Sequence, residues 1–407
     1  MESGRRKFLG FYISNMLCGR IAASAFFFLF GVGFSCWATR IADIKNALCL
    51  SDAQLGTLLL TIPVGQFCVI PFTGFFVNKF GSRNVLSLAI LFYPLTMMSL
   101  GLAATVWQLR IGLFFFGITC NLCNISMNTQ AVGVEKIYRR SIMASFHGIW
   151  SLAGFLGGLA STQIVKWGAT PFQHFCLMGV LAVLTLVLMR PHLLKSDAPK
   201  PERPAESLAE NPPQKRPFYK KLSFLFDGYI ITLGFIAFCC MSCEGTMFDW
   251  SVLYFQDVVK TDASHIRLGF ICYMSMMATG RFLSDRFVVR FGAIRVVQAS
   301  GILIALGLFV AVFRPSIYAS SIGFALVGLG VSSVVPLCYS LAGQSKRLAA
   351  GIALTGVSSI GFLGFLMGPP MIGYVADAFG LRVSFTIILF IGLAAAILAP
   401  RLKGKNV

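Results

Sequence analysis

Two carboxylates five residues apart, Glu244 and Asp249, stand in an apolar stretch, 229–252, long enough to cross a bilayer. A charge at bilayer depth costs about 2.5–3.5 kcal/mol on insertion scales, so a carboxylate kept there has a function or a partner. Asp249 lies some 20 residues into the stretch, about 30 Å along a helix, which puts it at the far interface as a solvated helix end or a gate partner. Glu244 lies about 7 Å deeper and is placed to carry a proton or anchor a solute, with His147 or Arg40 as competing structural partners. His147, Glu244 and Asp249 are the candidates for proton coupling. A lone imidazole in an apolar helix is otherwise a hydrogen-bonded packing residue. Asn121, Asn124 and Asn128 recur at i, i+3 and i+7, one face of a helix. Amides facing lipid are costly, so this face either joins helices or binds a polar solute. Phe34, Trp37, Trp150 and Tyr273 offer flat faces for a sugar ring or an organic cation.

The elements that hold these groups follow from hydropathy. The chain is 57% hydrophobic and 12% charged, against roughly 25% charged residues in a soluble domain. Twelve apolar stretches are long enough to span, near 21–39, 54–77, 85–105, 108–134, 143–165, 171–189, 229–252, 266–283, 294–313, 316–341, 349–373 and 383–400. Arg314-Pro315 alone divides the ninth from the tenth. The fold class is therefore all-α: a polytopic membrane protein of twelve transmembrane helices in two pseudo-symmetric six-helix bundles. A net charge of +19 would suit nucleic acid, but its distribution does not. With the N-terminus inside, most Lys and Arg fall on one face, the positive-inside bias of a multi-pass protein with both termini cytoplasmic.

Residues 191–227 hold seven prolines amid mixed charge and read as a flexible cytoplasmic linker between a 1–190 bundle and a 228–407 bundle. Arg5-Arg6-Lys7 precedes an apolar segment without a cleavage site, and residues 8–18 have room for a short helix lying on the membrane surface. The twelve Cys fall almost entirely inside the spans. Cys120-x-x-Cys123 and Cys240-x-x-Cys243 have no His beside them and read as small apolar fillers, so no metal and no cofactor is expected. Ser151-Leu-Ala-Gly154-Phe-Leu-Gly157-Gly158 is echoed by Ser358-Ser-Ile-Gly361-Phe-Leu-Gly364-Phe365, small residues that let helix backbones approach. Gly368-Pro369-Pro370 should bend the eleventh span.

One phrase occurs twice, half a chain apart. Gly74-Phe-Phe-Val-Asn78-Lys79-Phe-Gly81-Ser-Arg83 closes the second stretch; Gly280-Arg281-Phe-Leu-Ser-Asp285-Arg286 and Phe291-Gly292-Ala-Ile-Arg295 close the eighth. This repeat resembles the loop signature of the major facilitator superfamily. Trp37-Ala-Thr-Arg40-Ile41, Met127-Asn128-Thr-Gln130-Ala-Val-Gly-Val-Glu135, Phe146-His147-Gly148-Ile-Trp150-Ser151 and Glu244-Gly245-Thr-Met-Phe-Asp249-Trp250-Ser251 resemble a branch of poorly characterised bacterial inner-membrane permeases distantly related to sugar symporters. The resemblance implies a rocker-switch carrier in which spans one, four, seven and ten line a central cavity. It also implies cytoplasmic latches, Asp285 with Arg286 and Arg295 in the second copy, and Asn78 with Arg83 in the first. Asn78 stands where Asp is usual, so weaker closure is expected there. Glu135 is read as a gate or interfacial ion pair with Arg83 or Arg139.

The expected function is secondary active transport of a small polar organic solute, a sugar, polyol or similar metabolite, across the bacterial inner membrane. Protons, or another coupling ion, would drive it, in a monomer surrounded by lipid. An exporter of drugs or metabolites by proton antiport is the alternative, and it would favour an apolar cavity. A membrane sensor or scaffold would need a soluble module that neither the termini nor the linker can supply. No phosphate loop, zinc cluster or nucleophile motif supports an enzyme.

Overall fold

In a computed structural model the protein is described over residues 5–8, 11–138, 142–195, 227–345, 347–348 and 350–402. The twelve spans are Asn15–Ala38, Thr61–Phe80 with the short helix Asp52–Leu59 before it, Ser82–Gly101, Val106–Tyr138, Met143–Lys166, Pro171–Met189, Gly228–Asp257, Leu268–Phe291, Ala293–Phe313, Ile317–Val331 continued by Val334–Gly343, Ala350–Phe379 and Leu381–Leu398. Among the described residues, eleven helical segments are long and apolar enough to cross a membrane. Leu268–Phe291, span 8, completes the twelve and is less apolar than the rest because it carries Arg281, Asp285, Arg286 and Arg290. The break at Arg314-Pro315 is real. Proline disfavours helix at the residue before it, and Ser316 restarts the next helix by accepting the Ala319 N–H at 3.2 Å.

Three expectations need correction. Arg5–Phe8 and Phe11–Ser14 form a two-stranded antiparallel ribbon in place of a surface helix over 8–18, and the first helix starts at Asn15. Aromatic and β-branched residues in Phe11-Tyr12-Ile13 favour extended backbone. Span 7 continues to Asp257, so Asp249 lies eight residues inside the helix rather than at its end. Span 8 continues to Phe291, so Arg281 lies ten residues, about 15 Å, inside the helix rather than at its closing end. Residues 196–226, which hold most of the expected linker, lie outside the described residues, as do Arg139 and Arg140.

Packing repeats between the halves. Span 1 lies on span 5, span 2 on span 4, and span 3 on spans 4 and 6; likewise span 7 lies on span 11, span 8 on span 10, and span 9 on spans 10 and 12. The echoed small residues make these contacts. A Cβ on Gly157 would meet Ser35 of span 1 at 3.0 Å, and one on Gly364 would stand 2.4 Å from the Phe238 carbonyl of span 7. Span 5 also faces span 8 across the seam, with Gly154 against Met274 and Gly158 against Ile271. Span 11 faces the Asp52–Leu59 helix in the same way. Within each half the connecting turns are short, so successive spans run in opposite directions. Across the seam span 5 meets span 8 antiparallel, Gly154 with Met274 and Gly158 with Ile271, so both copies of the repeated phrase lie at one end of the molecule.

The two copies share one backbone geometry. Gly81 has φ 79° and ψ 145°, and Gly292 has φ 81° and ψ 149°, a region that only glycine occupies without strain. We expect Gly292→Ala to lower stability by about 1–3 kcal/mol. Gly343, with open space around it, should tolerate Ala within about 0.5 kcal/mol. Unfolding midpoints in detergent check this pair.

Candidate functional site

The centre of the molecule is organised by Arg281. Its guanidinium donates from Nη1 to Ser151 Oγ at 2.5 Å and from Nη2 to Glu244 Oε1 at 3.2 Å, and lies 5.5 Å from the centre of the Trp150 ring. Ser151 and Trp150 belong to span 5 of the first half, while Arg281 and Glu244 belong to spans 8 and 7 of the second. The pair is sheltered yet accessible, with side-chain exposures of 17% and 13%. Glu244 thus pairs with Arg281, not with His147 or Arg40. Counting back from Gly292 would have placed Arg281 inside the span; the repeated loop phrase concealed it.

An aromatic cluster closes over this pair. Phe34 of span 1 lies 5.6 Å from Trp150 and 4.9 Å from Phe248, centre to centre; Phe248 in turn lies 5.7 Å from Tyr273 and 6.5 Å from Phe365. Phe248 sits one turn beyond Glu244, toward the end remote from the repeated phrases. His147, one turn before Trp150 and Ser151, is exposed and meets the Phe27 ring edge-on at 5.5 Å. Trp37, by contrast, lies in the core of the first half, 1% exposed and 5.8 Å from Phe116, rather than on this wall. Span 1 is apolar all round, so hydropathy gives no sign of which aromatic faces inward.

The three asparagines divide. Asn121 accepts a hydrogen bond from Thr73 Oγ1 at 2.9 Å and joins span 4 to span 2. Asn128 donates to Asn124 Oδ1 at 2.9 Å. Asn124 is exposed, on the side of span 4 opposite Ile111, Phe115 and Leu122, which line an apolar groove of ≈ 1580 Å³ on the outside of the first half. Asn124 therefore faces inward, and that groove lies on the lipid side, away from every residue of the centre. Asp249 is 9% exposed and makes no hydrogen bond or ion pair among the described residues.

The two ends differ. At the end remote from the repeated phrases, Asp43 Oδ2 accepts from Arg40 at 2.8 Å and from Arg267 at 2.9 Å, joining the halves. Arg40 also donates to the Ala169 carbonyl and to His174 Nδ1, and Arg267 to the Thr39 carbonyl. Both guanidiniums are buried. Lys45 meets Asp257 at 3.6 Å and Asn46 meets Gln256 at 3.2 Å, again across the seam. Sequence reasoning missed this cluster because its members lie on loops and helix ends far apart in the chain. At the end with the repeated phrases, Asn78, Asp285, Arg286 and Arg295 are exposed, and among the described residues the last three make no ion pair or hydrogen bond. Arg83 is half-buried at the start of span 3. Glu135 accepts the backbone N–H groups of Ile142 and Met143, both at 2.8 Å, so it caps span 5. Charged links across the seam are thus found at the end remote from the repeated phrases, and Asp285, Arg286 and Arg295 make none among the described residues.

A family model described as the Major Facilitator Superfamily matches residues 21–345 and 259–406. The chain is 31% identical over 385 residues to an uncharacterized MFS-type transporter of Yersinia pestis, covering 94% of each. It is 30% identical to the membrane protein MosC of Rhizobium meliloti, covering 92% of this chain and 88% of the other. A nitrite extrusion protein of Bacillus subtilis is 26% identical over 90% of each. Among solved structures, a D-xylose–proton symporter superposes with a TM-score of 0.73 at 16% identity, over 97% of this chain and 100% of that one.

Asp43→Asn removes the anion that two buried guanidiniums share, a change that costs about 3–5 kcal/mol where a buried pair loses one partner. We expect it to shift the molecule toward a state open at that end. Spin-label distances across the seam there should lengthen, and an unchanged distribution would contradict the latch.

Proposed function

Since the chain belongs to the major facilitator superfamily and is a multi-pass membrane transporter, we propose that it carries a small polar organic solute by proton-coupled alternating access, with Glu244 as the coupling group. The observation behind this reading is the Arg281–Glu244 pair, held at the seam between the halves, sheltered but not fully sealed from its surroundings. A carboxylate in that position changes its partner when it takes up a proton. The neutral acid loses most of its attraction for the guanidinium, and the contact that Arg281 makes to Ser151 then bears the load alone. Loading and unloading Glu244 thereby alters what holds the halves together, which is what coupling requires.

Asn124, Asn128, Trp150 and Phe34 are the solute contacts we propose, with Tyr273 behind them; Asn121 serves the joint to span 2. His147 is placed to pass protons from the open end toward Glu244. Asp249 follows Phe248 directly, at the level of the aromatic cluster, and would meet water when the latched end opens. Polar and charged groups at the centre favour a polar metabolite over the lipophilic cargo of a drug exporter. Relatives differ in cargo, one being a nitrite extrusion protein.

By the distribution of Lys and Arg, we place the end with the repeated phrases in the cytoplasm of a bacterium, with both termini there and the latched end outward. The bundles 1–190 and 228–407 rock as two bodies joined by 191–227, in a monomer within the inner membrane. Asn78, Arg83, Asp285, Arg286 and Arg295 would latch the inner end when the Asp43 cluster releases the outer one.

Glu244→Gln should abolish the pH dependence of uptake into proteoliposomes while leaving the protein folded. An unchanged pH profile between pH 5.5 and 7.5 would remove Glu244 as the coupling group.

A further inference from the structure

The Arg281–Glu244 contact is poorly made for a pair of opposite charges. Charge-assisted bonds between guanidinium and carboxylate run at about 2.7–2.9 Å and are frequently two-pronged. Here one carboxylate oxygen meets one nitrogen at 3.2 Å, and no second contact to Glu244 occurs among the described residues. The guanidinium is meanwhile held from the other side by Ser151 and by the Trp150 face. Arg281 is also the cation set furthest from the ends of its helix, thirteen residues from one and ten from the other. A fixed, sheltered but accessible guanidinium with a single long contact to its partner is suited to receive a better-placed carboxylate.

We propose that the transported solute is a small organic anion whose carboxylate displaces Glu244 from Arg281, its apolar body resting on the wall formed by Trp150, Phe34 and Phe248. This names the solute class for the carrier function proposed above and rests on it. Charge then fixes the coupling. Without solute, Arg281 and Glu244 sum to zero. A bound carboxylate makes the centre −1, and buried net charge is costly. The displaced Glu244 restores neutrality by taking one proton from water onto a carboxyl oxygen. One anion and one proton move together, and the cycle carries no net charge. A neutral solute with one proton would instead move a positive charge.

The test uses purified protein and pairs of solutes that differ in charge, benzoate with benzamide and succinate with succinamide, beside xylose as a neutral sugar. Carboxylates, but not their amides or xylose, should raise the melting temperature of the wild type. Arg281→Gln should weaken carboxylate binding about 30-fold, the loss of one charge-assisted contact, with Arg281→Lys in between. Glu244→Gln should bind carboxylates as tightly as the wild type or more so, without dependence on pH, because Arg281 is then unopposed. The unliganded melting temperature of each variant shows that it is folded. Stabilisation by a neutral member as strong as by its carboxylate overturns the inference, as does failure of every carboxylate on both wild type and Glu244→Gln. In the first case, proton-coupled uptake of the neutral solute that disappears in Glu244→Gln would leave the carrier reading standing. A solute that binds and moves without protons would sink that reading separately.

Discussion

A guanidinium in the middle of a membrane protein must have its charge met, and Arg281 is met from both halves at once. Its hydroxyl and aromatic partners come from span 5, and its carboxylate from span 7. Losing either side leaves a charge in a region of low dielectric, where such a loss is worth several kcal/mol. Much of the surrounding architecture serves this one group. Gly154 and Gly158 let span 5 approach span 8 closely enough for the reach to Ser151, and the aromatic cluster seals the pair from the far end. The weakness of the Glu244 contact is as informative as its presence. A pair built for stability alone would be two-pronged and dry.

The two ends are opposite solutions to one problem. At the latched end, a single carboxylate oxygen holds two buried guanidiniums, and Lys45 and Asn46 add further links across the seam. Such a cluster is rigid while intact and unfavourable once parted, which gives a switch rather than a graded hinge. At the other end, Asp285, Arg286 and Arg295 stand exposed, with no ion pair or hydrogen bond among the described residues. Gly81 and Gly292 give both copies the same turn, so the loops are structurally equivalent even though Asn78 replaces a charge in the first. A carrier needs the two ends to close in alternation, and the molecule is caught with one of them closed.

The fold was largely legible from hydropathy and internal repetition, because a bilayer admits few architectures and each span declares itself by length. The echoed Ser-Gly segments were read for close helix approach, and they make it. Helix ends were less legible. The apolar signal of spans 7 and 8 stops before their backbone does, which put Asp249 at the helix end and Arg281 beside the mouth of its span. Facing was legible only where polar residues mark a side: the Asn face of span 4 was found, whereas Trp37 and Phe34 could not be told apart in a span apolar on every side. Asp43, Arg40 and Arg267 were invisible because their association depends on which loops the topology brings together.

The most direct measurement is proton uptake on solute binding, followed with a pH indicator in weakly buffered detergent solution of the purified protein. The account predicts that a solute which binds draws a proton from solution, and that Glu244→Gln still binds it but draws none. Binding without proton uptake in the wild type, or equal uptake in Glu244→Gln, would contradict the central role given to the Arg281–Glu244 pair.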